Sequence, residues 1–317
     1  MKALVFEKGK LKLVERPVPE PAGDEVLIKV KMAGICNTDL EIMKGYLNFQ
    51  GIIGHEFTGT VVGADKDDEL YGRRVVGSIN IPCYHCSVCQ QGLYNHCLNI
   101  KCLGIRDKDG AFAEYLTLKR ENLYPVPDEV NDREAVFTEP VAAAIEIIEK
   151  IHIRPTDRVL VLGDGKLGLI TAMVLHSVGL EVIVVGKHRE KLAVLSDMDI
   201  QTYLTGEFHE RVQVVIECTG SSSGLETALD LVQPEGKIVL KTTVSGKNLI
   251  NLSKAAVNEL MILGSRCGPF APALRLLKRN NMALEKMIDS VYRLEDGVKA
   301  MERASQKGVL KVLLENY

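Results

Sequence analysis

The amino-acid sequence predicts an α/β protein with a β-rich amino-terminal domain and a second domain built on a doubly wound parallel sheet. Its 317 residues, 46% of them hydrophobic, are enough for two globular cores. Residues 1–140 form short β segments divided by Gly and Pro. From residue 158 onward, apolar strands alternate with glycine turns and amphipathic helices, as in a parallel sheet. We therefore predict domains at 1–140 and 141–268, with a tail, 269–317, that returns to the first domain.

The individual elements follow from the same patterns. In the first domain we predict strands at 2–7, 11–15, 26–33, 59–63 and 74–79. In the second we predict strands at 158–162, 181–185, 212–217, 237–241 and 259–263, and helices at 166–178, 189–196 and 224–232. The tail should hold helices at 272–279 and 294–306 and a last strand at 309–314.

One connection in the second domain is predicted to lack its helix. A weak strand at 201–204 is followed by only seven residues before the next strand begins. A crossover between parallel strands usually needs a dozen or more residues. We therefore expect a missing or vestigial helix at this point.

Charge and hydropathy exclude several classes of partner. The formal net charge is -3 and there is no long Lys/Arg block, which argues against a nucleic-acid surface. No apolar run reaches the ~18 residues of a membrane span. The amino-terminal run MKALVFE turns polar too soon for a signal peptide. We expect a cytoplasmic protein that acts on small molecules.

Four of the eight cysteines stand close together, with two, two and seven residues between them. Thiolates at this spacing can surround one tetrahedral zinc ion and close its coordination sphere, so that no position is left for substrate. The alternative is a redox-active CxxC, but such motifs come in pairs rather than in quartets. The predicted structural zinc ligands are Cys83, Cys86, Cys89 and Cys97.

A GxGxxG motif directly follows an apolar strand and begins a helix. Its first glycine, Gly163, permits a tight turn, Gly165 lets a pyrophosphate approach the backbone, and Gly168 lets the helix pack on the strand. Lys166 and Leu167 lie at the helix amino terminus, whose positive potential attracts phosphate. The alternative is an ordinary glycine-rich turn. Within a βαβ unit the motif predicts a dinucleotide-binding Rossmann domain.

The end of the second strand bears on the choice of cofactor. NAD usually meets an acidic residue there, which hydrogen-bonds the ribose hydroxyls. This chain instead has Gly186, which leaves room for a phosphate. Lys187, His188 and Arg189 follow, and either Lys187 or Arg189 could pair with that phosphate. The alternative is that Lys187 and Arg189 are only the solvated first turn of a helix. The sequence therefore favours NADP over NAD, and Thr219 completes the expected cofactor contacts.

Two further segments, GICNTD around Cys36 and GHEF around His55, complete a recognisable order of motifs. Together with the four-cysteine lobe and GxGxxG, they resemble the zinc-dependent alcohol dehydrogenase family, the medium-chain dehydrogenase/reductases, over essentially the whole chain. The resemblance implies a GroES-like catalytic domain at 1–140, with a structural zinc lobe at about 80–100. It also implies a Rossmann domain at 141–268.

The resemblance implies two zinc ions in each chain, one structural and one catalytic. Cys36 and His55 match the first and second ligands of the catalytic ion. Glu139 matches the third ligand, which is a glutamate in the polyol dehydrogenase branch. Glu56 matches a residue that can approach the metal, so we expect an exchangeable ligand there. Such a set leaves one position for substrate oxygen.

The segment after Cys36 matches the proton-transfer residues of the family. Thr38 corresponds to the hydroxyl relay, and Asp39 to the carboxylate that orients the ligating histidine. Without the family, both residues would indicate only the start of a helix. Many relatives have a histidine three residues after the relay hydroxyl. This chain has Glu41 there, so the usual exit for the proton is altered.

The resemblance implies hydride transfer between NAD(P) and an alcohol/carbonyl pair, with a secondary alcohol, polyol or sugar as substrate. Tyr46 and Phe49, in a short loop, are candidate substrate contacts, although a surface loop is an equal alternative. A homodimer or homotetramer is expected, with the strand at 259–263 at the interface. Two rivals are a zinc-free quinone or enoyl reductase on the same fold and a non-catalytic binding protein that kept the scaffold.

Overall fold

The computed structural model describes residues 1–64, 68–243, 250–279 and 281–316. The chain forms two compact units. The first contains residues 1–139, 274–280 and 288–317, and the second contains residues 140–273 and 281–287. Among the helices of the described ranges, none has the length and apolar character needed to cross a lipid bilayer.

The β-strands are numbered in chain order. They are β1 Lys2–Glu7, β2 Lys10–Glu15, β3 Glu25–Gly34, β4 Gly51–Ile52, β5 Glu56–Gly63, β6 Arg74–Gly77, β7 Asn80–Ile81, β8 Lys101–Cys102, β9 Tyr115–Lys119, β10 Leu123–Pro125, β11 Arg158–Leu162, β12 Glu181–Gly186, β13 Gln201–Leu204, β14 Val212–Glu217, β15 Val232–Leu240, β16 Met261–Gly264, β17 Ile288–Arg293 and β18 Lys311–Glu315.

The α-helices are numbered in the same way. They are α1 Asn37–Met43, α2 Asp132–Ala135, α3 Thr138–Lys150, α4 Lys166–Ser177, α5 Arg189–Leu192, α6 Gly224–Leu231, α7 Leu252–Val257, α8 Phe270–Leu277 and α9 Gly297–Ala304. Short 3-10 turns lie at Tyr46–Asn48, Cys89–Gln91, Tyr94–His96, Arg120–Asn122, Ala193–Leu195, Leu284–Met287 and Leu294–Asp296.

The first unit is organised around a sheet in which β3 is the central strand. The strand order is β10-β6-β5-β3-β18-β17, and β9 also pairs with β3. A second sheet has the order β2-β1-β4. Residues of β3 alternate between buried and more exposed positions over most of its length, as expected for a strand with one face on the core. The last strand, β18, pairs antiparallel with β3, so the carboxy-terminal tail completes this sheet.

The second unit is a six-stranded parallel sheet of order β13-β12-β11-β14-β15-β16. Its central strands are rich in Val, Ile and Leu and almost fully buried, as expected for a parallel sheet covered on both faces. The predicted α/β fold is confirmed. The connection from β13 to β14 contains no helix, so the prediction of a missing helix is confirmed as well.

Several predicted elements need correction. Helix α3 was not predicted, because Pro140 and the charged ends of the segment obscure its apolar stripe. A proline in the first turn is harmless, since its missing N–H would be unpaired there. The predicted helix at 189–196 is wrong in extent: α5 ends at Leu192 and a 3-10 turn follows. The strands β9 and β17 were also missed.

Glycines pack backbone against backbone just before β5. A Cβ on Gly104 would stand 2.2 Å from the carbonyl oxygen of Gly54, and one on Gly110 would stand 2.3 Å from the same atom. The ring of Phe112 occupies the space over Gly54, where a Cβ would meet it at 2.2 Å. These contacts hold the backbone immediately before His55 in place.

Gly104→Ala tests this packing, and Gly72→Ala is its matched control. Both glycines have left-handed backbone, with φ of +65° and +70°, but a Cβ on Gly72 would meet nothing within 4 Å. We expect Gly72→Ala to cost about 1–2 kcal/mol of unfolding free energy from the backbone alone. Gly104→Ala should cost about 1–3 kcal/mol more, because backbone must move. Urea unfolding midpoints measure both, and equal shifts would refute the packing argument.

Candidate functional site

Strand pairing brings the first predicted metal ligands together. Gly34, at the end of β3, is opposite Glu56, at the start of β5. Cys36 lies two residues after the first strand and His55 one residue before the second. The ligand atoms of Cys36, His55 and Glu56 lie within 4.8 Å of one another. Antiparallel register therefore joins two segments that are separate in the sequence.

Asp39 links these two segments. Its Oδ2 accepts a hydrogen bond of 2.8 Å from the backbone N–H of Cys36, and its Oδ1 lies 3.1 Å from Nδ1 of His55. The Asp39 side chain is fully buried and His55 is 2% exposed. Burial lowers the pKa of His55, but the Asp39 carboxylate outweighs burial, so the pKa is raised well above its usual value. With Nδ1 turned to Asp39, Nε2 is the nitrogen left for a metal.

Thr38 and Glu41 lie on α1, which begins directly after Cys36. The Thr38 hydroxyl oxygen is 3.8 Å from the Cys36 sulfur, so the predicted relay hydroxyl stands beside a predicted ligand. Glu41 forms an ion pair of 2.8 Å with Lys44 and is exposed. The structure therefore has an exposed ion pair where many relatives have a histidine.

A buried lysine that the sequence prediction missed completes the cluster. Lys311, the first residue of β18, places its Nζ 2.5 Å from Oε2 of Glu56, and both side chains are 1% exposed. Its Nζ also lies 5.4 Å from the centroid of the Phe137 ring. Burial lowers the pKa of Lys311, but the negative charges of Glu56, Cys36 and Asp39 outweigh burial and raise it. Gly34 makes room for the pair, since a Cβ there would meet Oε2 of Glu56 at 2.5 Å.

The donor set suits zinc. A thiol, an imidazole and a carboxylate are the ligand types of catalytic zinc sites, and three protein ligands leave one position open. Glu139, the second residue of α3, is partly buried and lies outside the group whose atoms fall within 4.8 Å. Its role as third ligand stays a prediction. Glu56 is inside that group, but its Oε2 is paired with Lys311.

The four lobe cysteines form a second ligand group, with all four sulfurs within 4.8 Å of one another. The Cys97 sulfur is 3.4 Å from that of Cys83 and 3.9 Å from that of Cys86. A tetrahedral zinc with bonds of about 2.3 Å holds its sulfurs roughly 3.8 Å apart. The backbone N–H groups of Cys83 and Asn99 donate to the Cys97 sulfur at 3.3 and 3.4 Å. The lobe therefore fits one saturated zinc ion.

The pKa values of two lobe thiols move in opposite directions. Hydrogen bonding from the backbone of His85 lowers the pKa of Cys83 to about 6. Burial, together with the neighbouring thiols, raises the pKa of Cys89 to about 12. Four thiols this close cannot all ionise without a cation, because each new thiolate repels the next. A bound divalent cation would compensate this repulsion.

The three glycines of GxGxxG have the geometry that a dinucleotide requires. Gly163 has φ of +116°, and a Cβ there would meet the carbonyl oxygen of Cys218 at 2.6 Å. A Cβ on Gly168 would stand 2.1 Å from the carbonyl oxygen of Gly163, so only glycine lets α4 approach the turn. Gly165 has nothing within 4 Å of its Cβ position, which leaves open space over the backbone. These are the roles of tight turn, close packing and phosphate approach.

The other predicted cofactor residues lie around this turn. Lys166 and Leu167 form the first turn of α4. Thr219 follows β14, and both its N–H and its hydroxyl donate to Oε1 of the buried Glu217, at 2.7 and 2.6 Å. Glu217 was not predicted as a site residue. It holds the loop after β14 in shape.

The space over Gly186 is not empty, which corrects the sequence prediction. A Cβ on Gly186 would meet the Cβ, Oδ2 and Cγ of Asp164 at 2.6, 2.7 and 2.9 Å. Asp164 is the residue between the first two glycines of GxGxxG and is 7% exposed. The room that the sequence assigned to a phosphate therefore holds a carboxylate. Only the contact between the GxGxxG turn and the end of β12 reveals this.

Lys187, His188 and Arg189 follow β12 directly. The backbone N–H groups of Lys187 and His188 donate to Oδ2 of Asp164 at 2.7 and 2.6 Å. Nδ1 of His188 lies 3.0 Å from the same oxygen. The Arg189 side chain is 80% exposed, with Glu207 at 3.9 Å.

The predicted substrate contacts lie in the loop after α1. Tyr46 begins a 3-10 turn and is 48% exposed, whereas Phe49 is 9% exposed. Leu47 and Asn48 in the same turn have positive φ, of 56° and 51°. The loop presents one aromatic ring to solvent and buries the other.

Comparisons with known proteins agree with this geometry. A family model of the alcohol dehydrogenase GroES-like domain matches residues 22–128, and a model of zinc-binding dehydrogenases matches residues 167–279. A sorbitol dehydrogenase from Halalkalibacterium halodurans is 30% identical and is covered over 99% of both chains.

Solved structures give the same picture. An alcohol dehydrogenase from Escherichia coli CFT073, solved with NADH, is 28% identical with a TM-score of 0.92, covering 100% of this chain and 99% of that one. A protein from Sinorhizobium meliloti 1021, solved with NADP, is 28% identical with a TM-score of 0.91, covering 99% of each chain. The chain thus belongs to the zinc-dependent alcohol dehydrogenase family, the medium-chain dehydrogenase/reductases, whose members are NAD(P)-dependent oxidoreductases.

Proposed function

We propose that the chain transfers a hydride between NAD(P) and an alcohol/carbonyl pair in which the alcohol is a secondary alcohol, a polyol or a sugar. A catalytic zinc ion would be held by Cys36, His55 and a carboxylate. The observation that carries this proposal is the buried Asp39, whose two oxygens face the backbone of one ligand and the ring of the other. A fully buried carboxylate is costly, and orienting two metal ligands gives it a purpose.

The polyol class rests on two features. The sorbitol dehydrogenase relative is similar over the full length of both chains. Glu139 stands where the polyol branch has a glutamate ligand, in the first turn of α3. We assign Glu139 as third ligand, directly or through water, and Glu56 as an exchangeable one.

The chemistry divides between the groups bound and the residues of the chain. When bound, zinc polarises the substrate oxygen as a Lewis acid and the nicotinamide exchanges the hydride. Asp39 fixes the orientation of His55 so that Nε2 remains available. The Thr38 hydroxyl, beside the Cys36 sulfur, receives the proton that the alcohol loses and passes it toward solvent.

Lys311 balances charge within this cluster. Cys36 as a thiolate, Asp39 and Glu56 would place three negative charges close together in a region shielded from water. The ammonium of Lys311 pairs with Glu56 directly and attracts the other two. It therefore acts as a positioning residue for Glu56, because the ion pair holds Oε2 at a defined place.

Two opposing features near β12 bear on the nucleotide. Lys187 and Arg189 supply the positive charge that favours NADP, as the sequence suggested. The carboxylate of Asp164 lies at the same strand end and opposes a second phosphate.

The second unit has a surface suited to self-association, and a homodimer or homotetramer is part of the proposal. Strand β16 is an edge of the parallel sheet, and an unpaired edge invites pairing with another chain. Met261 on this strand is 52% exposed, and Val257 in the preceding α7 is 82% exposed. Apolar side chains beside an open edge favour burial by a second copy.

The central experiment combines zinc counting with turnover. Wild-type protein should contain two zinc ions per chain and oxidise members of a panel of secondary alcohols, polyols and sugars with NAD or NADP. Cys36→Ser should lose one zinc ion and at least about a hundredfold in kcat/KM, since a ligand of the reacting centre is removed. Its circular dichroism should be unchanged.

The matched control is Cys102→Ser, a partly buried cysteine outside both ligand groups. It should keep both zinc ions and full activity. A Cys36→Ser enzyme with wild-type turnover would refute the catalytic assignment. A wild-type chain with one zinc ion that reduces quinones or enoyl compounds would support the zinc-free rival.

Cys89→Ser should remove the other zinc ion and act on stability. Binding of a structural ion by thiolates contributes directly to folding free energy, so the lobe should loosen and the thermal midpoint should fall. Catalytic zinc content should be retained. Atomic emission and thermal unfolding measure the two effects, and an unchanged midpoint with two ions present would contradict the structural role.

Lys311→Met should be strongly destabilising, because it leaves the Glu56 carboxylate buried without a partner. We expect a loss of about 3–5 kcal/mol. The double variant Lys311→Met/Glu56→Gln should recover much of this loss, since the carboxylate that Lys311 neutralised is then uncharged. Lys299→Met, which removes an exposed ion pair with Asp296, should leave the free energy of unfolding almost unchanged, because solvent screens that pair. Urea unfolding checks all three, and additive effects of the two buried changes would rule out the coupling.

A further inference from the structure

We propose that Asp164 is the residue that determines cofactor specificity in this chain, and that its carboxylate makes NAD the preferred dinucleotide. The inference rests on the proposed function, since it concerns the cofactor of the same reaction. It reverses the preference that the sequence favoured. The end of β12 has an acidic group after all, but a neighbouring loop supplies it.

The position of the carboxylate carries the inference. In a Rossmann domain that uses NAD, an acidic side chain at the end of the second strand hydrogen-bonds the ribose 2′-hydroxyl. Here that strand is β12 and ends at Gly186. A Cβ added to Gly186 would overlap the Cβ, Cγ and Oδ2 of Asp164. Asp164 therefore occupies the volume of a side chain at position 186. An acidic residue in the turn after β11 and a glycine at the end of β12 together replace the usual acidic residue on β12.

The carboxylate is held firmly and still has acceptor capacity. Oδ2 accepts from the backbone N–H groups of Lys187 and His188 and lies 3.0 Å from Nδ1 of His188. The hydrogen bonds that the described residues make to Asp164 all end on Oδ2. Oδ1 therefore keeps its lone pairs for an outside donor, and a ribose hydroxyl is such a donor.

Burial decides between Asp164 and the nearby cations. Asp164 is 7% exposed, so water and salt screen its charge poorly. The Arg189 side chain is 80% exposed and has Glu207 at 3.9 Å, and Lys187 is exposed as well. Exposed charges on long side chains contribute little because solvent screens them. A 2′-phosphate would meet a fixed negative charge at short range and only mobile positive charges around it.

Isothermal titration of the zinc-loaded protein with NAD and NADP tests the proposal without any substrate. We expect NAD to bind about tenfold or more tightly than NADP. AMP should likewise bind more tightly than adenosine 2′,5′-bisphosphate, because these two fragments differ only in the phosphate on the ribose 2′ position. Equal affinities within either pair, or tighter binding of its 2′-phosphorylated member, would overturn the proposal. This measurement needs only the wild-type protein.

Asp164→Asn separates charge from structure. An amide oxygen can still accept from the two backbone N–H groups, so the loop should keep its shape while the negative charge is lost. The ratio of NAD to NADP affinity should fall toward one, mainly through tighter NADP binding. If both affinities weaken by the same factor, Asp164 is only structural and the proposal fails.

Asp157→Asn is the matched control. Asp157 is also 7% exposed, accepts a backbone N–H bond of 2.8 Å from Arg154, and precedes β11 at the opposite end of that strand. Its substitution should leave the affinity ratio unchanged, and an equal change in both variants would overturn the assignment to Asp164. Failure to bind either dinucleotide would refute the proposed function and this inference with it. A preference for NADP with normal turnover would refute this inference alone.

Discussion

The antiparallel register of three strands is the constraint on which the proposed catalytic cluster depends. Gly34 of β3 is opposite Glu56 of β5 on one side and Leu313 of β18 on the other. Because of this alignment, the segments that contain Cys36, His55 and Lys311 converge, although the last is far along the chain. A shift of one residue in either pairing would turn the affected side chains to the opposite face of the sheet. The site is therefore a property of strand pairing more than of any single motif.

The two ligand groups each bring several potentially negative side chains close together, and each stabilises these charges in a different way. The lobe concentrates thiols and stabilises their sulfurs with backbone N–H groups, such as that of Asn99. The group proposed to be catalytic mixes ligand types and includes a fully buried cation, Lys311. A saturated thiolate cluster can only support structure, whereas a mixed and incompletely filled set leaves room for a reacting oxygen. The difference between the two groups separates stability from chemistry within one unit.

Local patterns in the sequence were enough to predict most of the fold and to single out the four lobe cysteines, whereas the set of Cys36, His55 and Glu139 came from the family resemblance. Period-2 and helical patterns located β11, β12 and β14, and spacing alone located the lobe cysteines. Lys311 was missed because a lysine in a strand is usually solvent-facing, although the apolar residues on both sides of it were a signal of burial. Asp164 was missed because its contact with Gly186 joins the turn after β11 to the end of β12, and no local pattern records such a contact. Helix α3 was hidden by a proline that its first turn tolerates.

The contact between Asp164 and Gly186 has a consequence for comparing and redesigning relatives. The two positions are coupled: a side chain at 186 needs a small residue at 164, and an acidic residue at 164 needs glycine at 186. If Asp164 sets the nucleotide preference as proposed, aligning relatives column by column at the end of the second strand would assign the wrong nucleotide to any chain that shares this exchange. An engineer who wishes to move the acidic side chain from position 164 to position 186 would have to alter both positions together, because either change alone creates a clash or an empty space.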